Sequence, residues 1–288
     1  MLACHNTLKA KSAAGQLCKA LGVRLVTNPQ VVQLARNAGF DSLFIDLEHS
    51  TLSLNDASNL CLAGLSTGIT PFVRVPHQCG NGFVQKVLDG GSMGVIFPHV
   101  TNAEEAKAAV SISKYPPQGC RSMTGQLPVI SLKTFPQSQV IHETNSSGST
   151  VFVMIENVSA VENVNEIAAV EGVDVVLVGS NDLAIELGIA GEFRHETFRR
   201  ALTQISEACK KYGKVMGLAG IYDQPDIHDW AIHTLDVRFM LCQQDSGLIS
   251  AGATKCRAAV EAVENASSSS SKTKTNGVNG TNGVNTAL

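Results

Sequence analysis

The sequence predicts an α/β protein folded as a TIM (β/α)8 barrel with a disordered C-terminal tail. Eight short runs rich in β-branched and aromatic residues alternate with longer amphipathic stretches, which is the order of strand–helix units. The runs begin about 31 residues apart, the length that a strand and its following helix need. With 44% apolar residues and 25 glycines in 288 residues, the chain can bury a large core and make many tight turns.

The predicted strands, in chain order, are 23–26, 42–46, 71–75, 94–97, 151–155, 174–178, 214–218 and 237–241. Apolar residues recurring at three- and four-residue steps predict helices between them, at 29–38, 56–66, 103–114, 158–169 and 196–212. One interval is longer, because about 35 residues after Lys114 form an extra loop, and long loops on such scaffolds usually serve the site. A doubly wound open sheet is the alternative, but no G-x-G-x-x-G or Walker loop opens a helix.

Composition divides the chain into a barrel domain, residues 1–264, and a tail, residues 265–288, rich in Ser, Thr, Asn, Gly and Lys. The tail has too few apolar residues to form a core. A formal charge of −3 gives no basic surplus, which argues against a nucleic-acid partner. There is no apolar run long enough to span a bilayer and no leader-like N-terminus, and the eight cysteines lack metal-binding spacing. These features predict a cytoplasmic protein without membrane attachment.

Polar residues close several of the predicted strands, at the barrel end where chemistry occurs in this fold. They are Asp46-Leu-Glu-His49, Arg74, Glu156, Asn181-Asp182 and, after the last strand, Asp245. Each has a structural alternative: Asp182 could be a helix N-cap, Arg74 an ion-pair partner and His49 a hydrogen-bonded loop residue. Their convergence on one rim favours a functional site.

Glu156 and Asp182, on neighbouring strands, can share one hard cation whose other positions are filled by water and substrate. Two carboxylates without His or Cys ligands suit Mg²⁺ or Mn²⁺ better than zinc. A glycosidase acid–base pair is the alternative, disfavoured because the chain is only 5% aromatic. A Schiff-base enzyme is also disfavoured, since no lysine ends a predicted strand.

An ordered set of motifs over about residues 20–262 resembles the HpcH/HpaI aldolase family. The set comprises Asp-Leu-Glu-His at 46–49, Phe-Val-Arg-Val-Pro at 72–76, Lys-Val-Leu-Asp-Gly-Gly at 86–91, Phe-Pro-His-Val at 97–100, Tyr-Pro-Pro-Gln-Gly-Cys-Arg at 115–121, Met-Ile-Glu-Asn at 154–157 and Val-Gly-Ser-Asn-Asp-Leu at 178–183. The resemblance implies a TIM barrel whose last helix is exchanged between paired subunits to give hexamers, built as trimers of dimers. It also implies a metal-dependent lyase that works through a pyruvate enolate.

The resemblance also assigns roles by position. Glu156 and Asp182 would be the metal ligands, and Arg74 would contact the keto or enolate oxygen of the substrate. His49 would be the acid/base residue, oriented by Asp46.

Three further positions complete the implied site. Asp89 resembles an acid that reaches a neighbouring subunit's site. The backbone amides of Ser180 and Asn181, at the start of a helix, would hold the substrate carboxylate.

Three departures from the family pattern concern the substrate. Met154 stands where a glutamine is usual, Leu47 replaces a small residue, and residues 122–129 lack the usual Gly-x-Gly-x-Ala-Arg-Ala run.

From the resemblance we predict a Mg²⁺- or Mn²⁺-dependent aldolase that cleaves a 2-keto-3-deoxy sugar acid or 4-hydroxy-2-oxo acid to pyruvate and an aldehyde. The alternatives are an oxaloacetate decarboxylase resembling macrophomate synthase, a fungal relative; a non-catalytic barrel that binds 2-oxo acids; and a citrate-lyase-like acyl-CoA cleaving enzyme.

Overall fold

Eight parallel strands close into a barrel, which confirms the predicted fold and excludes the open sheet. The computed structural model describes residues 4–272, with side chains described through residue 266. Each strand pairs with the next in sequence, and the last pairs with the first. The strands are β1 (Cys18–Val23), β2 (Ser42–Asp46), β3 (Thr70–Arg74), β4 (Gly94–Phe97), β5 (Thr150–Ile155), β6 (Val175–Gly179), β7 (Val215–Ala219) and β8 (Val237–Gln244).

Helices alternate with the strands, and most of those between two strands pack against the outside of the barrel. The α-helices are α1 (Thr7–Ala13), α2 (Gln30–Asn37), α3 (Leu54–Thr67), α4 (Asn81–Asp89), α5 (Ala103–Ser113), α6 (Gln137–Glu143), α7 (Val158–Glu162), α8 (Val164–Ala169), α9 (Ser180–Glu186), α10 (Glu196–Tyr212), α11 (Pro225–His233) and α12 (Asp245–Lys272). Before β5 lie a 3₁₀ turn at Pro128–Ile130 and a π-helical turn at Thr144–Gly148. The helix predicted at 158–169 is divided at Asn163 into α7 and α8.

The first strand lies five residues earlier than the sequence predicts. It is formed by Cys18–Val23, and the predicted segment 23–26 mostly follows the strand as a loop. Small residues hide β1 from a pattern based on β-branched residues: Cys18 and Ala20 pack inside the barrel, and Gly22 lies against β8. A Cβ at Gly22 would stand 2.8 Å from Cγ of Gln244, so this close approach requires glycine.

Two apolar layers stabilise the barrel, as expected when helices cover a parallel sheet. Inside, the rings of Phe72, Phe152 and Phe239 pack together with centroids 4.8–6.0 Å apart. Outside, the other faces of the strands pack against the helices in a larger cluster that includes Val73, Val153 and many helix residues. A rigid, filled interior holds the strand ends, and therefore their polar side chains, in fixed positions.

The long segment between α5 and β5 closes the amino-terminal end of the barrel. Asn6, which caps α1, donates hydrogen bonds to the Ser147 carbonyl and to the Thr150 hydroxyl at the start of β5, both at 2.9 Å. Lys114 Nζ donates to the Asn145 carbonyl at 2.8 Å. Within the described chain, this loop lies at the end opposite the predicted site, because a connection from a helix to the next strand returns there; that the loop serves a site stays a prediction.

The last helix, α12, begins at Asp245 and continues to Lys272. It includes residues 265–272 of the predicted tail, because extending an existing helix costs little even where composition gives no core. Residues 273–288 of that tail lie outside the described residues. The described residues from Gly247 to Lys272 belong to a second unit, whose helix exposes Leu248, Ile249, Val260 and Val263. Within residues 4–272, no helix has the length and apolar character needed to cross a membrane.

Candidate active site

The carboxyl ends of the strands surround a cavity of about 360 Å³. It contains most of the predicted site residues, which the sequence places far apart. Its lining is formed by Arg24, Phe44, His49, Arg74, Met154, Glu156, Gly179, Ser180, Asn181, Asp182, Ala219, Gly220, Tyr222, Leu241 and Gln244. Of the predicted set, Asp46 lies beside this lining and Asp89 lies elsewhere.

Arg74, the last residue of β3, is held by two carboxylates. Its Nε and Nη2 donate to the two oxygens of Asp46 at 2.9 and 2.6 Å, and Nη1 lies 3.1 Å from Glu48 Oε2. The strand register places Asp46 directly beside Arg74. A guanidinium has five N–H donors, so those not engaged by Asp46 and Glu48 can serve a ligand in the cavity. The ring of Phe44 packs under the guanidinium, 5.4 Å from Cζ.

The Asp46 carboxyl stays ionised despite being almost fully buried. Burial raises its pKa, but the hydrogen bonds and charge of Arg74, with the backbone N–H groups of His49 and Glu48, outweigh burial and lower it. Asp46 thus fixes the guanidinium and the backbone of His49, at 3.2 Å from its nitrogen. The contact predicted by the resemblance, with Asp46 orienting His49, involves the backbone of His49. The carboxylate near the His49 ring is that of Glu48, 3.8 Å from Nε2.

Glu156, which follows β5, is 2% exposed and faces β6. A Cβ built on Gly179 would lie 2.5 Å from Glu156 Oε1, so glycine at the end of β6 leaves room for this carboxylate. Oε2 accepts the backbone N–H of His99 at 2.7 Å. Burial raises the pKa of Glu156, and the charge of Asp182 raises it further, whereas the N–H and ring of His99 and the charge of Arg74 lower it.

Asp182 lies in the first turn of α9, half-buried, and lines the cavity with Ser180 and Asn181. The Ser180 hydroxyl is buried and has no hydrogen-bond partner among the described residues. No Lys or Arg in the described part of the chain forms an ion pair with Glu156 or Asp182. In the same residues, no three His, Cys, Asp or Glu side chains are grouped closely enough to hold a metal ion. Any cation here would depend on these two carboxylates, water and the substrate.

Asp89 lies at the end of α4, away from the cavity lining. Its Oδ1 accepts from Arg121 Nη2 at 2.6 Å, and the Arg121 guanidinium stacks on Tyr115, 4.6 Å from the ring centre. In the described chain, Asp89 therefore joins α4 to the segment after α5. Its predicted action in a neighbouring subunit's site stays a prediction.

Two site residues have no role in the sequence-based prediction. Glu48 belongs to the Asp-Leu-Glu-His motif without an assigned role. In the structure it lies near Arg74, His49 and His99, and its Oε1 is 3.4 Å from His99 Nε2. His99 adopts a left-handed backbone, φ 57°, which turns its N–H and ring toward Glu156. Neither contact has a local signature, because both join residues of different strands.

Three more lining residues, Arg24, Tyr222 and Gln244, follow or end β1, β7 and β8. Gln244 directly precedes Asp245, the polar residue that the sequence places after the last predicted strand. The sequence pattern predicts Arg24 inside the first strand, whereas in the structure Arg24 directly follows β1. Asp245 itself is structural: its carboxylate accepts the backbone N–H groups of Arg24, Leu25 and Val26 at 2.8–3.3 Å.

The closed barrel and the polar cluster at its mouth define an enzyme of the TIM-barrel class. Residues 24–229 match the family described as HpcH/HpaI aldolase/citrate lyase, and the chain belongs to this family, as the motifs predict. The chain is 58% identical over 260 residues to 4-hydroxy-4-methyl-2-oxoglutarate aldolase of Hapsidospora irregularis, covering 90% of this chain and 96% of that protein. Identity to the enzyme of the same name from Chaetomium globosum is 56% over 259 residues, again 90% and 96%.

Solved structures agree with this family assignment. An HpcH/HpaI aldolase from Desulfitobacterium hafniense superposes with a TM-score of 0.83 at 29% identity, covering 89% of this chain and 97% of that one. Macrophomate synthase shares the fold, with a TM-score of 0.73 at 23% identity over 90% and 91% of the two chains. The chain is therefore an aldolase, a carbon–carbon lyase, which confirms the predicted enzyme class.

Proposed function

We propose that this enzyme cleaves 4-hydroxy-4-methyl-2-oxoglutarate, or a closely similar 4-hydroxy-2-oxo diacid, between C3 and C4, using Mg²⁺ or Mn²⁺ held by Glu156 and Asp182. Two relatives that share more than half of its residues carry the name of this activity. Cleavage of that compound yields two molecules of pyruvate, so the second product is a ketone, whereas the motifs of the sequence predict an aldehyde. The observation that carries the proposal is the cavity in which Arg74, Glu156, Asp182 and His49 meet.

The two carboxylates fit a divalent cation by their chemistry and surroundings. Glu156 is buried against Gly179, and in the described chain neither it nor Asp182 has a Lys or Arg partner to offset its charge. A buried carboxylate is costly unless a cation compensates it. Oxygen ligands are those that Mg²⁺ and Mn²⁺ prefer. When bound, such an ion would polarise the 2-keto group and supply positive charge beside the oxygen on which negative charge develops.

Residues of the chain itself account for orientation and proton transfer. Ser180 and Asn181 line the cavity, and the Ser180 hydroxyl has no hydrogen-bond partner in the described chain. This hydroxyl and the two backbone N–H groups bind the C1 carboxylate of the substrate. Arg74, clamped by Asp46 and Glu48, donates hydrogen bonds to the C2 oxygen. Because its two carboxylate partners already fix the guanidinium, it need not reorganise as that oxygen becomes negative.

Bond cleavage starts at the C4 hydroxyl. His49 removes its proton, directly or through a water molecule, as the C4–O bond becomes a carbonyl and the C3–C4 electron pair moves to form the pyruvate enolate. Proton transfer by a positioned histidine commonly contributes about 10² to 10⁴ in rate. The protonated His49 then returns the proton to C3, directly or through water, which completes the second pyruvate, and the reverse sequence joins two pyruvates.

Decarboxylation of oxaloacetate is the second candidate, favoured by Met154. This side chain lines the cavity and is 2% exposed. A thioether cannot donate a hydrogen bond to the substrate, whereas the glutamine expected from the family pattern can. Loss of CO₂ requires no base, so a remodelled wall harms decarboxylation less than aldol cleavage.

Product stoichiometry tests the proposal. Purified enzyme is incubated with 4-hydroxy-4-methyl-2-oxoglutarate, with oxaloacetate and with 5-keto-4-deoxyglucarate, each with Mn²⁺, Mg²⁺ or EDTA, and pyruvate is measured by coupled reduction to lactate. We expect two pyruvates per molecule of the methylated diacid, and no turnover in EDTA. Glu156→Gln should abolish release, whereas Glu166→Gln, on the exposed face of α8, should not. Pyruvate from oxaloacetate alone would establish the second candidate.

We also propose a cytoplasmic homo-oligomer, a hexamer built as a trimer of dimers. The exposed apolar residues Leu248, Ile249, Val260 and Val263 of α12 support self-association, because an amphipathic helix is stable when its apolar side is covered. All eight cysteines are free, which suits a reducing compartment. Light scattering during gel filtration measures the assembly; a monomeric mass would refute the oligomer.

A further inference from the structure

The guanidinium of Arg24 stands at the cavity without a carboxylate partner among the described residues. Arg24 is exposed, directly follows β1, and contributes to the lining. Its Nη1 donates to the neutral amide oxygen of Gln244 at 3.3 Å. Arg74 differs, because two carboxylates already engage it.

The main chain of Arg24 is anchored although its side chain is exposed. The buried Asp245 carboxylate accepts the N–H groups of Arg24, Leu25 and Val26, which ties the end of β1 to the start of α12. Val23 pairs with Ile45, so the next residue, Arg24, stands at the level of Asp46 on the neighbouring strand. The position of Arg24 at the rim is therefore set by the fold.

Barrel order places Arg24 opposite the proposed cation site. Glu156 follows β5, which is four strands from β1 in either direction around the closed barrel. His49 follows β2, next to β1. A substrate with its C1 carboxylate and keto group near Glu156 and Ser180 therefore presents its C4 hydroxyl and the groups beyond it to the β1–β2 side.

Charge around the cavity points the same way. Asp46 and Glu48 together outweigh Arg74, and a divalent cation would balance Glu156 and Asp182. A dianionic substrate then needs further positive charge, which Arg24 supplies. The half-buried phenol of Tyr222 lies within electrostatic reach of Arg24 and Arg74, and burial raises its pKa to about 12, so it is a neutral hydrogen-bond donor at physiological pH.

We propose that Arg24, supported by Gln244, forms a subsite for the second carboxylate of a diacid with a five-carbon chain and selects such substrates over monoacids. The inference rests on the proposed function for the reaction, but it can be measured separately as binding. A charge-assisted hydrogen bond from the guanidinium to the second carboxylate strengthens binding of the diacid, and a monoacid cannot form it.

Binding of two uncleavable ligands tests the subsite without catalysis. 2-Oxoglutarate has the same distance in bonds between its carboxylates as the methylated diacid, and 2-oxopentanoate lacks the second carboxylate. With Mn²⁺ present, calorimetry should show that the enzyme prefers 2-oxoglutarate by about 10- to 100-fold, the value of a charge-assisted hydrogen bond. Arg24→Met should remove this preference without weakening 2-oxopentanoate, and Arg24→Lys should retain part of it.

Arg36→Met, which removes an exposed arginine from the last turn of α2, is the matched control and should keep the preference. Cleavage gives the parallel comparison: Arg24→Met should lower kcat/KM for 4-hydroxy-4-methyl-2-oxoglutarate about 10- to 100-fold, mainly through KM. Cleavage of 4-hydroxy-4-methyl-2-oxopentanoate should change little. Equal effects on diacid and monoacid, or an unchanged preference in Arg24→Met, would overturn the subsite. If the unmodified enzyme prefers 2-oxoglutarate in binding but does not cleave 4-hydroxy-4-methyl-2-oxoglutarate, the proposed reaction is refuted and the subsite is not.

Discussion

Asp46 and Arg74, side by side on β2 and β3, form a two-point ion pair at 2.9 and 2.6 Å that is nearly inaccessible to solvent. The pair holds the Arg74 guanidinium in a fixed position at the mouth of the barrel. Removing either partner should also lower the stability of the protein, because the remaining charge is then buried without a partner. In the proposed mechanism, Asp46 acts through the arginine that it holds.

Asp46→Ala should destabilise the protein by about 3 to 5 kcal/mol, the usual cost of breaking a buried ion pair from one side, and should abolish activity. Denaturant unfolding measures the change. The lowered pKa of Asp46 also sets a pH dependence: its stabilisation is present above the unfolded value of about 4 and is lost as pH falls through the lower folded value. As the pH falls below about 4, the free energy of unfolding should therefore decrease less in the variant than in the native protein.

Asp226 provides the control for this prediction. It makes a two-point pair of similar geometry with Arg194, at 2.8 and 2.7 Å, but both side chains are exposed. Asp226→Ala should change stability far less, because water screens and replaces the pair. Similar losses in the two variants would show that burial of Asp46 is not what makes its pair important.

The local sequence predicts residues that end strands better than it predicts contacts between strands. The apolar runs of β2 and β4 are bounded by polar or turn residues, and their predicted limits match the structure. Arg74, Glu156 and Asp182 could be identified because each is a charged residue that closes or follows an apolar run, where it leaves the core and reaches the barrel mouth. The ion pair of Arg74 with Glu48 and the left-handed His99 depend on neighbours distant in sequence, so no local pattern announces them.

Gly179→Ala should remove activity without disturbing the backbone. Gly179 has a φ of −89°, which alanine tolerates, but its Cβ would stand 2.5 and 2.6 Å from Oε1 and Cγ of Glu156. We expect Glu156 to be displaced and the affinity for Mn²⁺, measured by electron paramagnetic resonance, to fall by about 10-fold or more, as when metal-site support is lost. Gly82→Ala, in α4 with open space around the new methyl group, should bind Mn²⁺ normally and be slightly more stable. Unchanged Mn²⁺ binding in Gly179→Ala would show that Glu156 does not bind the cation.

Thermal shifts offer a test of the cation that does not require turnover. In EDTA at pH 8, Glu156→Gln should melt higher than the native protein. The raised pKa of Glu156 means that its stability contribution falls as pH rises through the interval above its ordinary value, and glutamine removes the buried charge. Mn²⁺ at about 100 times its Kd should stabilise the native enzyme by about 2.7 kcal/mol and leave Glu156→Gln unaffected. Glu166→Gln should keep the full Mn²⁺ shift, and a shift of equal size in Glu156→Gln would refute the assignment.

His49 should separate the two reactions open to this cavity. Its ring lines the mouth with a side chain 55% exposed, so it can reach a hydroxyl group or a water molecule there. His49→Ala should slow cleavage of 4-hydroxy-4-methyl-2-oxoglutarate about 10²- to 10⁴-fold, because the proton of the C4 hydroxyl group then has no positioned acceptor. Oxaloacetate decarboxylation should change by only a few-fold, since CO₂ leaves without deprotonation. His233→Ala, on the exposed side of α11, should affect neither kcat. Equal losses in both reactions of His49→Ala would show that the imidazole binds the substrate in addition to accepting a proton.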